Sequence, residues 1–596
     1  MLFQINKRTM KFIRKYYYIL LIILLAIIFF VGTSSFNYWT QYNDFIKWGS
    51  PDETANYIFT KLYAQTGNIS FYEKYNLYTK DIIHPRSFRS DFGVLKPVSF
   101  LGIILIYGKI ASLFNYKIIP YLTPFFAGIG IIFYYLLIKK IFNKKNALIS
   151  SFILSCFPVY IFYTARSMFH NVIFTVFLII GFYFSFLITQ KRKQKKQNYW
   201  QGWIYAGLSG FFFGLCIICR TSELIWLAPL LFLLWVLNIK KIGISKFIIF
   251  ISFLGIVILP ILYYNQILYN FPYLGGYSEM NESIISIKNT GTSIINSSIK
   301  ADFLNIPKSI NNITNTIFHF GFHPKQSLRM ANYYIIEMFP VLSVLSIIGF
   351  AIFLRSWKKQ KSKHWKYLIA LTLASVILIL YYGSWKFYDN PDKTRHTIGN
   401  SYTRYWLPVY LGIIPFASLF IIKFTFVITE LFSKFKNVIY KSSNKFFSYR
   451  VSKKFIRNIL YFLILFFIFL NSIKFVLLGS EEGLFYIAER QKKSYQEYKK
   501  IIELTEKNST IITFYHDKLL FPKRKVIVGS FADKNMVVEY SNLANYLPVY
   551  YYNFTLPEDA INWLNNSRLG EINLNISKIK KITPDFTLYK INKVKK

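Results

Sequence analysis

The chain has 596 residues, of which 54% are hydrophobic, 20% aromatic and only 17% charged. Its 72 Lys and Arg against 27 Asp and Glu leave a formal charge of +45, carried in short clusters between long apolar runs. That balance excludes a soluble globular protein, a disordered chain and a nucleic-acid binder with one basic face, and predicts an all-α polytopic membrane protein.

A span needs about 20 apolar residues. In chain order the runs 17–35, 118–138, 147–163, 168–189, 201–219, 222–239, 247–267, 332–354, 367–384, 405–422 and 458–477 are candidates. The first has a basic flank (Lys7, Arg8, Lys11, Arg14, Lys15) and no small-residue cleavage site, so it reads as a retained helix. A twelfth run, 96–114, is assigned to the outer membrane surface. Were it to cross, the basic clusters at 139–145 and 191–196 would both move outside, against the positive-inside rule.

With eleven spans, the N-terminus and the clusters at 139–145, 191–196, 240–246, 355–366 and 423–457 are predicted to be cytoplasmic. The loops 36–117, 164–167, 220–222, 268–331 and 385–404 and the tail 478–596 are predicted to be external. The expected domains are a membrane domain over 1–477, with juxtamembrane helices in the loop 36–117, and a small external α/β domain over 478–596. In that tail SYQEYKKIIELTEK and LPEDAINWLNN read as helices, and STIITFYH, KRKVIVGSF and DFTLYKI as strands. Cys156, Cys216 and Cys219 all lie in apolar runs, so neither a disulfide framework nor a cysteine zinc site is expected.

Five external segments carry candidate chemistry. The first, SPDETANYIFTKLYAQTG, opens a helix with Asp52 and Glu53, either decorating its positive end or forming a catalytic acidic pair. The second, DIIHPRSFRSDFGVLKP, brings His84, Arg86, Arg89 and Lys96 to the membrane surface, to anchor on headgroups or to neutralise a lipid-linked phosphate. In FYTARSMFHN, Arg166 stands between two apolar helices with His170 one turn on; a cation at that depth snorkels or is paired. In CRTSELIW, Arg220 and Glu223 are spaced for a local ion pair. In SYTRYWLPVYLG, Tyr402, Arg404 and Tyr405 enter the tenth span, and one of the arginines is a candidate partner for Glu337.

These elements, in this order, resemble the GT-C superfamily of membrane glycosyltransferases, in the branch of protein O-mannosyltransferases and lipid A aminoarabinose transferases. The resemblance rests on PDETANYIFTKLYAQTG, the Lys96-Pro97 pair, LLIKKIFNKKNALISSFILSCFPVYIFYTARS, FGLCIICRTSELIWLAP and RYWLP, spanning roughly residues 20–425. It implies a GT-C-like bundle and transfer of a sugar from a polyprenyl-phosphate carrier to an acceptor glycan, lipid or protein outside the cytoplasm. On that analogy Asp52 is the general base or the acid that orients the acceptor, Glu53 supports it, and Lys96 and Arg166, joined by Arg404, hold the donor phosphate. His84, Arg86, Arg89, His170, Arg220 and Tyr402 are supporting candidates.

Many relatives carry an acid where this chain has Asn171, a loss of one hard oxygen ligand that favours a site without a divalent metal or other cofactor. The WWDYG-type sequence of oligosaccharyltransferases is absent. Two other classes compete. A flippase or transporter of lipid-linked sugar would need charges near the midplane, whereas these lie at the outer ends. A non-catalytic scaffold predicts no convergence of Asp52 with the cations. A surface-polysaccharide ligase or polymerase is the nearest rival within the enzymes.

Overall fold

The computed structural model describes residues 7–42, 46–189, 199–277, 281, 321–387, 389, 394–442, 453–479 and 482–594. The basic cluster 191–196, most of the loop 268–331 and part of the cluster 423–457 lie outside the described residues. The chain opens with helix α1 (Lys7–Trp39) and continues through α2 (Pro51–Thr66), strands β1 (Phe71–Tyr72), β2 (Phe88–Asp91) and β3 (Val94–Pro97), and α3 (Leu101–Leu113). There follow α4 (Ile119–Ile141), α5 (Lys144–Cys156), α6 (Pro158–Arg166), α7 (His170–Ile188), α8 (Tyr199–Cys219), α9 (Leu224–Val236) and α10 (Ile239–Tyr269). The later long helices are Pro340–Arg355, Ser362–Gly383, Leu407–Ser442 and Lys453–Leu478.

Among the described residues eight helices are long and apolar enough to cross a membrane. The pairs Lys144–Cys156 with Pro158–Arg166 and Pro324–Glu337 with Pro340–Arg355 bend by 52° and 99°, and raise the number to ten if each is one span. A proline opens the second half of each pair, where its missing N–H and fixed φ interrupt the helical ladder. The sixth of the eleven expected spans, 222–239, is the exception. Its helix Thr221–Val236 is too short to qualify, about 24 Å at 1.5 Å per residue.

That segment nevertheless runs from one end of the bundle to the other. At its start Arg220 and Glu223 meet Tyr382, at the end of Ser362–Gly383; beyond its finish Lys366, near the start of that same helix, donates to Leu237 O and Asn238 Oδ1. Two ends of the bundle follow from such contacts. One holds Lys140, Asn238 and Lys363; the other gathers α2, Arg166, Arg220 and Arg404.

The run 96–114 also differs from expectation. Lys96 is in strand β3, and the helix begins only at Leu101. Strand β3 is central in a three-stranded antiparallel sheet, β1-β3-β2. Helix α3 is buried between α2 and α8, with Gly102 so close to α8 that a Cβ there would stand 2.3 Å from Ile218 O. Its 13 residues reach about 20 Å, short of a hydrocarbon core of about 30 Å.

After helix Leu484–Leu504 the tail forms a five-stranded sheet ordered β5-β4-β6-β8-β7, from β4 (Thr510–Thr513), β5 (Lys525–Val528), β6 (Val549–Phe554), β7 (Leu574–Lys581) and β8 (Phe586–Lys593). Strands β4, β5 and β6 are parallel and β6, β8 and β7 antiparallel. Besides the predicted elements it contains helix Lys534–Leu543 and strands β6 and β7.

The tail is joined to the first loop. Ile83 is buried with the core residues of the tail sheet and bridges Ile527 of edge strand β5. Ion pairs Arg86–Asp517, Lys525–Glu73 and Lys80–Glu539 and a stacked Tyr78–Tyr546 pair complete the junction.

Candidate active site

Ser50 and Pro51 start α2, and the reciprocal half of a capping box forms as Ser50 N–H donates to Glu53 Oε2 at 3.2 Å. This local geometry sends the two neighbouring acids to different fates. Glu53 is fully buried, and Arg166 grips it through Nε to Oε1 at 3.1 Å and Nη2 to Oε2 at 2.5 Å. Burial pushes its carboxyl above the usual range, with Arg166 and the Ser50 N–H pulling it back. Asp52 is only half-buried and accepts one hydrogen bond, from Ser87 Oγ at 2.8 Å. Among the described residues it forms no ion pair.

The aromatic side chains of the α6–α7 turn hold the cations. Phe169 lies between two guanidinium groups, its centroid 5.1 Å from Arg166 and 4.6 Å from Arg404. Arg404 donates to Ser401 Oγ at 2.8 Å, while its buried Nε has no hydrogen-bond acceptor among the described residues. Tyr405, Tyr163, Asp389 and Asp52 outweigh the burial penalty and raise the Arg404 pKa, so this cation stays charged within reach of the Asp52 carboxylate. Tyr405 also stacks on Arg220, 4.6 Å from its guanidinium. Arg220 and Glu223 form the expected local pair at 2.8 Å, locked by the Tyr382 hydroxyl and by Trp226 Nε1 on Glu223. His170 is buried, with Nε2 at 3.2 Å from Phe100 O.

The structure thus brings Asp52, Glu53, Arg166 and Arg404 together, with Arg220 and His170 adjoining through Tyr405 and Phe100. Lys96 is held elsewhere, by Asp91 at 2.5 Å and the Leu268 carbonyl at 2.5 Å. Arg86 turns to Asp517 and the Phe514 carbonyl, Arg89 pairs with Asp91, and His84 Nδ1 contacts the Pro85 carbonyl. Buried Tyr402 donates to the Trp385 carbonyl. Glu337 has no need of an arginine: it is exposed and accepts from Asn332 at 2.6 Å. Asn171, at the position where relatives carry an acid, donates to Arg404 O at 3.2 Å.

Sequence reasoning missed two residues. Tyr277 faces Asp52, whose charge joins burial in raising its pKa, and its ring is 5.4 Å from Phe100. The signal was Gly275-Gly276, since a Cβ on Gly276 would stand 2.5 Å from Val98 Cα and bar this approach. Lys47 is buried next to Trp48 and donates to Asn37 O, Asn37 Oδ1 and Thr40 Oγ1 at 3.2, 2.7 and 2.9 Å. Burial lowers its pKa to about 7, with Glu53 opposing.

The acidic pair Asp52 and Glu53 lies with Arg166 and Arg404 at one end of a polytopic bundle. Residues 100–264 match the family of dolichyl-phosphate-mannose-protein mannosyltransferases. The fold is similar to that of the oligosaccharyltransferase of Archaeoglobus fulgidus, with a TM-score of 0.52 and 11% identity over 91% of this chain and 70% of that one. A further structure of that enzyme, in complex with an inhibitory peptide and a dolichol-phosphate, gives 0.51. ArnT from Cupriavidus metallidurans, bound to undecaprenyl phosphate, gives 0.50 at 10% identity over 96% of this chain and 98% of that one. No curated protein sequence matches significantly. The chain therefore resembles GT-C membrane glycosyltransferases of the O-mannosyltransferase and ArnT branch, in sequence over 100–264 and in fold throughout.

Proposed function

We propose that the protein is an inverting glycosyltransferase that moves a sugar from a polyprenyl-phosphate carrier to an acceptor on the external face of the cell membrane. The observation that carries this reading is the pairing pattern: Glu53 is consumed by Arg166, while among the described residues Asp52 forms no ion pair and the Nε of Arg404 finds no acceptor. A proton acceptor and a cation then lie within electrostatic reach of each other.

In this reaction Asp52 takes the proton of the acceptor hydroxyl as its oxygen attacks the anomeric carbon. The bond to the phosphate oxygen breaks on the opposite side, inverting the centre through an oxocarbenium-like transition state. The phosphate gains a negative charge as it leaves, and Arg404 stabilises that charge more than the ground state. Arg166 supports it through the part of its guanidinium turned from Glu53, whereas Lys96, already held by Asp91 and the Leu268 carbonyl, is given no contact with the phosphate. No metal is assigned to the step: the Asn171 amide already serves the Arg404 backbone.

The test compares mass spectra of surface glycans, glycolipids and glycoproteins from cells with the wild-type chain and with Asp52→Asn. Loss of one sugar increment, together with accumulation of its polyprenyl-phosphate donor, is expected. Identical profiles would overturn the reading.

A further inference from the structure

The end of the bundle away from Asp52 holds a cavity of about 1070 Å³. Helix α9 and the residues just after it line its wall from Leu224 to Asn238. Its interior is apolar, and Trp226, whose indole donates to Glu223, stands at the end nearest the Arg220–Glu223 pair. Six lysines line it as well: Lys140, Lys241, Lys246, Lys361, Lys363 and Lys366. All six lie at the end of the bundle where α4 finishes and α10 and Ser362–Gly383 begin. None of its lining residues is acidic.

Several of these ammonium groups rest on backbone oxygens. Lys363 Nζ is 2.5 Å from Lys140 O, Lys366 Nζ is 2.7 Å from Leu237 O, and Lys246 Nζ is 3.4 Å from Lys241 O. Such contacts orient Lys246, Lys363 and Lys366 on neutral oxygens, and none of these three forms an ion pair among the described residues. Like cations gathered at an apolar mouth are mutually unfavourable until an anion shares them.

We propose that this cavity binds an anionic diacyl phospholipid of the adjoining leaflet, with its headgroup phosphate among the lysines and its acyl chains along α9. The position of the charge decides between this lipid and the tail of a polyprenyl-phosphate donor. A donor with its phosphate near Arg404 would thread only the end of its hydrocarbon chain toward the lysine mouth, where six cations gain nothing from it. A leaflet phospholipid satisfies both ends of the cavity at once, as juxtamembrane lysines do with anionic lipid.

The test uses the full-length protein in nanodiscs of equal phosphatidylglycerol and phosphatidylcholine, followed by native mass spectrometry of the lipid retained after detergent extraction. Wild type should retain phosphatidylglycerol over phosphatidylcholine by roughly thirtyfold, the preference expected of two lysine–lipid contacts. The triple variant Lys241→Gln, Lys246→Gln, Lys361→Gln should lose that preference. Ala374→Trp, which fills the apolar wall without touching a charge, should lose the bound lipid altogether while keeping its elution volume. Equal retention of both lipids by wild type, or undiminished preference in the triple variant, would overturn the proposal. So would a parallel experiment with added undecaprenyl phosphate in which Ala374→Trp releases that lipid and keeps phosphatidylglycerol. None of these readouts depends on sugar transfer, so the result stands apart from the catalytic reading.

Discussion

Arg166 closes on Glu53 through two hydrogen bonds although the two residues are 113 positions apart. The pair joins helix α2 to the α6–α7 turn. It also separates the adjacent acids: the buried one is fixed by Arg166, and the half-buried one forms no ion pair among the described residues.

Removing the arginine should therefore act first on stability. Arg166→Met leaves Glu53 buried without a cation, a loss of about 3–5 kcal/mol. The double variant Glu53→Gln, Arg166→Met should recover much of it, read as thermal unfolding in detergent. Additive losses in the cycle would mean that the pair does not hold the helix.

Asp52→Asn should behave in the opposite way. Asparagine keeps the acceptor oxygen for Ser87 but cannot take a proton, so the melting temperature holds while transfer falls by about 10²–10⁴-fold. A folded variant with near-normal transfer would remove Asp52 from the role of base.

Arg404→Lys tests the leaving-group contact. An ammonium keeps the charge but loses the planar fork between Ser401 and the unsatisfied Nε. Transfer is expected to drop by about 10²–10³-fold, the size of one lost oxyanion donor. Because Arg404 forms no carboxylate pair among the described residues, stability should change less than in Arg166→Met. A large stability loss with unchanged transfer per folded molecule would refute this assignment.

The junction of the tail should respond to acid through His516. Burial, with Lys518 and Arg86 near it, pushes this imidazole down to about 4, against the pull of Asp517. The Glu497 carboxylate, 3.2 Å away, favours the imidazolium too, but burial raises its own pKa and it already accepts from the Tyr552 hydroxyl. The unfolded segment binds the extra proton between pH 6.5 and 4, so the contribution is complete above 6.5 and is lost as pH falls toward 4. It amounts to about 3 kcal/mol at 1.36 kcal/mol per unit. Limited proteolysis at pH 7 and 4.5 should show a larger acid-induced increase for wild type than for His516→Gln. Equal increases would count against His516.

The bundle was legible because apolar length and basic clusters are written locally: each span can be read without knowing its neighbours. The acidic pair was legible for the same reason, since Ser50, Pro51, Asp52 and Glu53 start a helix by their own chemistry. The partners were not. Lys96 and Arg166 match the same motif logic, yet one finds Asp91 and the other Glu53, a choice made by β-pairing of the first loop and by the break at Pro158. Arg86 reads as a membrane cation because the sequence hides that Asp517 of the tail meets it, and Arg89 because it hides the hairpin that pairs it with Asp91. Strand β6, VYYYNF, was passed over because its run of aromatics has no alternation, as befits a central strand buried on both faces.

The Arg86–Asp517 contact links residues 431 positions apart, and it has a bearing on how the protein is made. The hairpin that carries Ser87, and so steadies Asp52, leaves the ribosome long before strands β4 and β5 exist. Until residues 517–527 are synthesised, Ile83 has no core to enter and Arg86 no carboxylate to meet. The Ser87 contact on Asp52, the proposed proton acceptor, therefore depends for its support on a segment made more than 400 residues later.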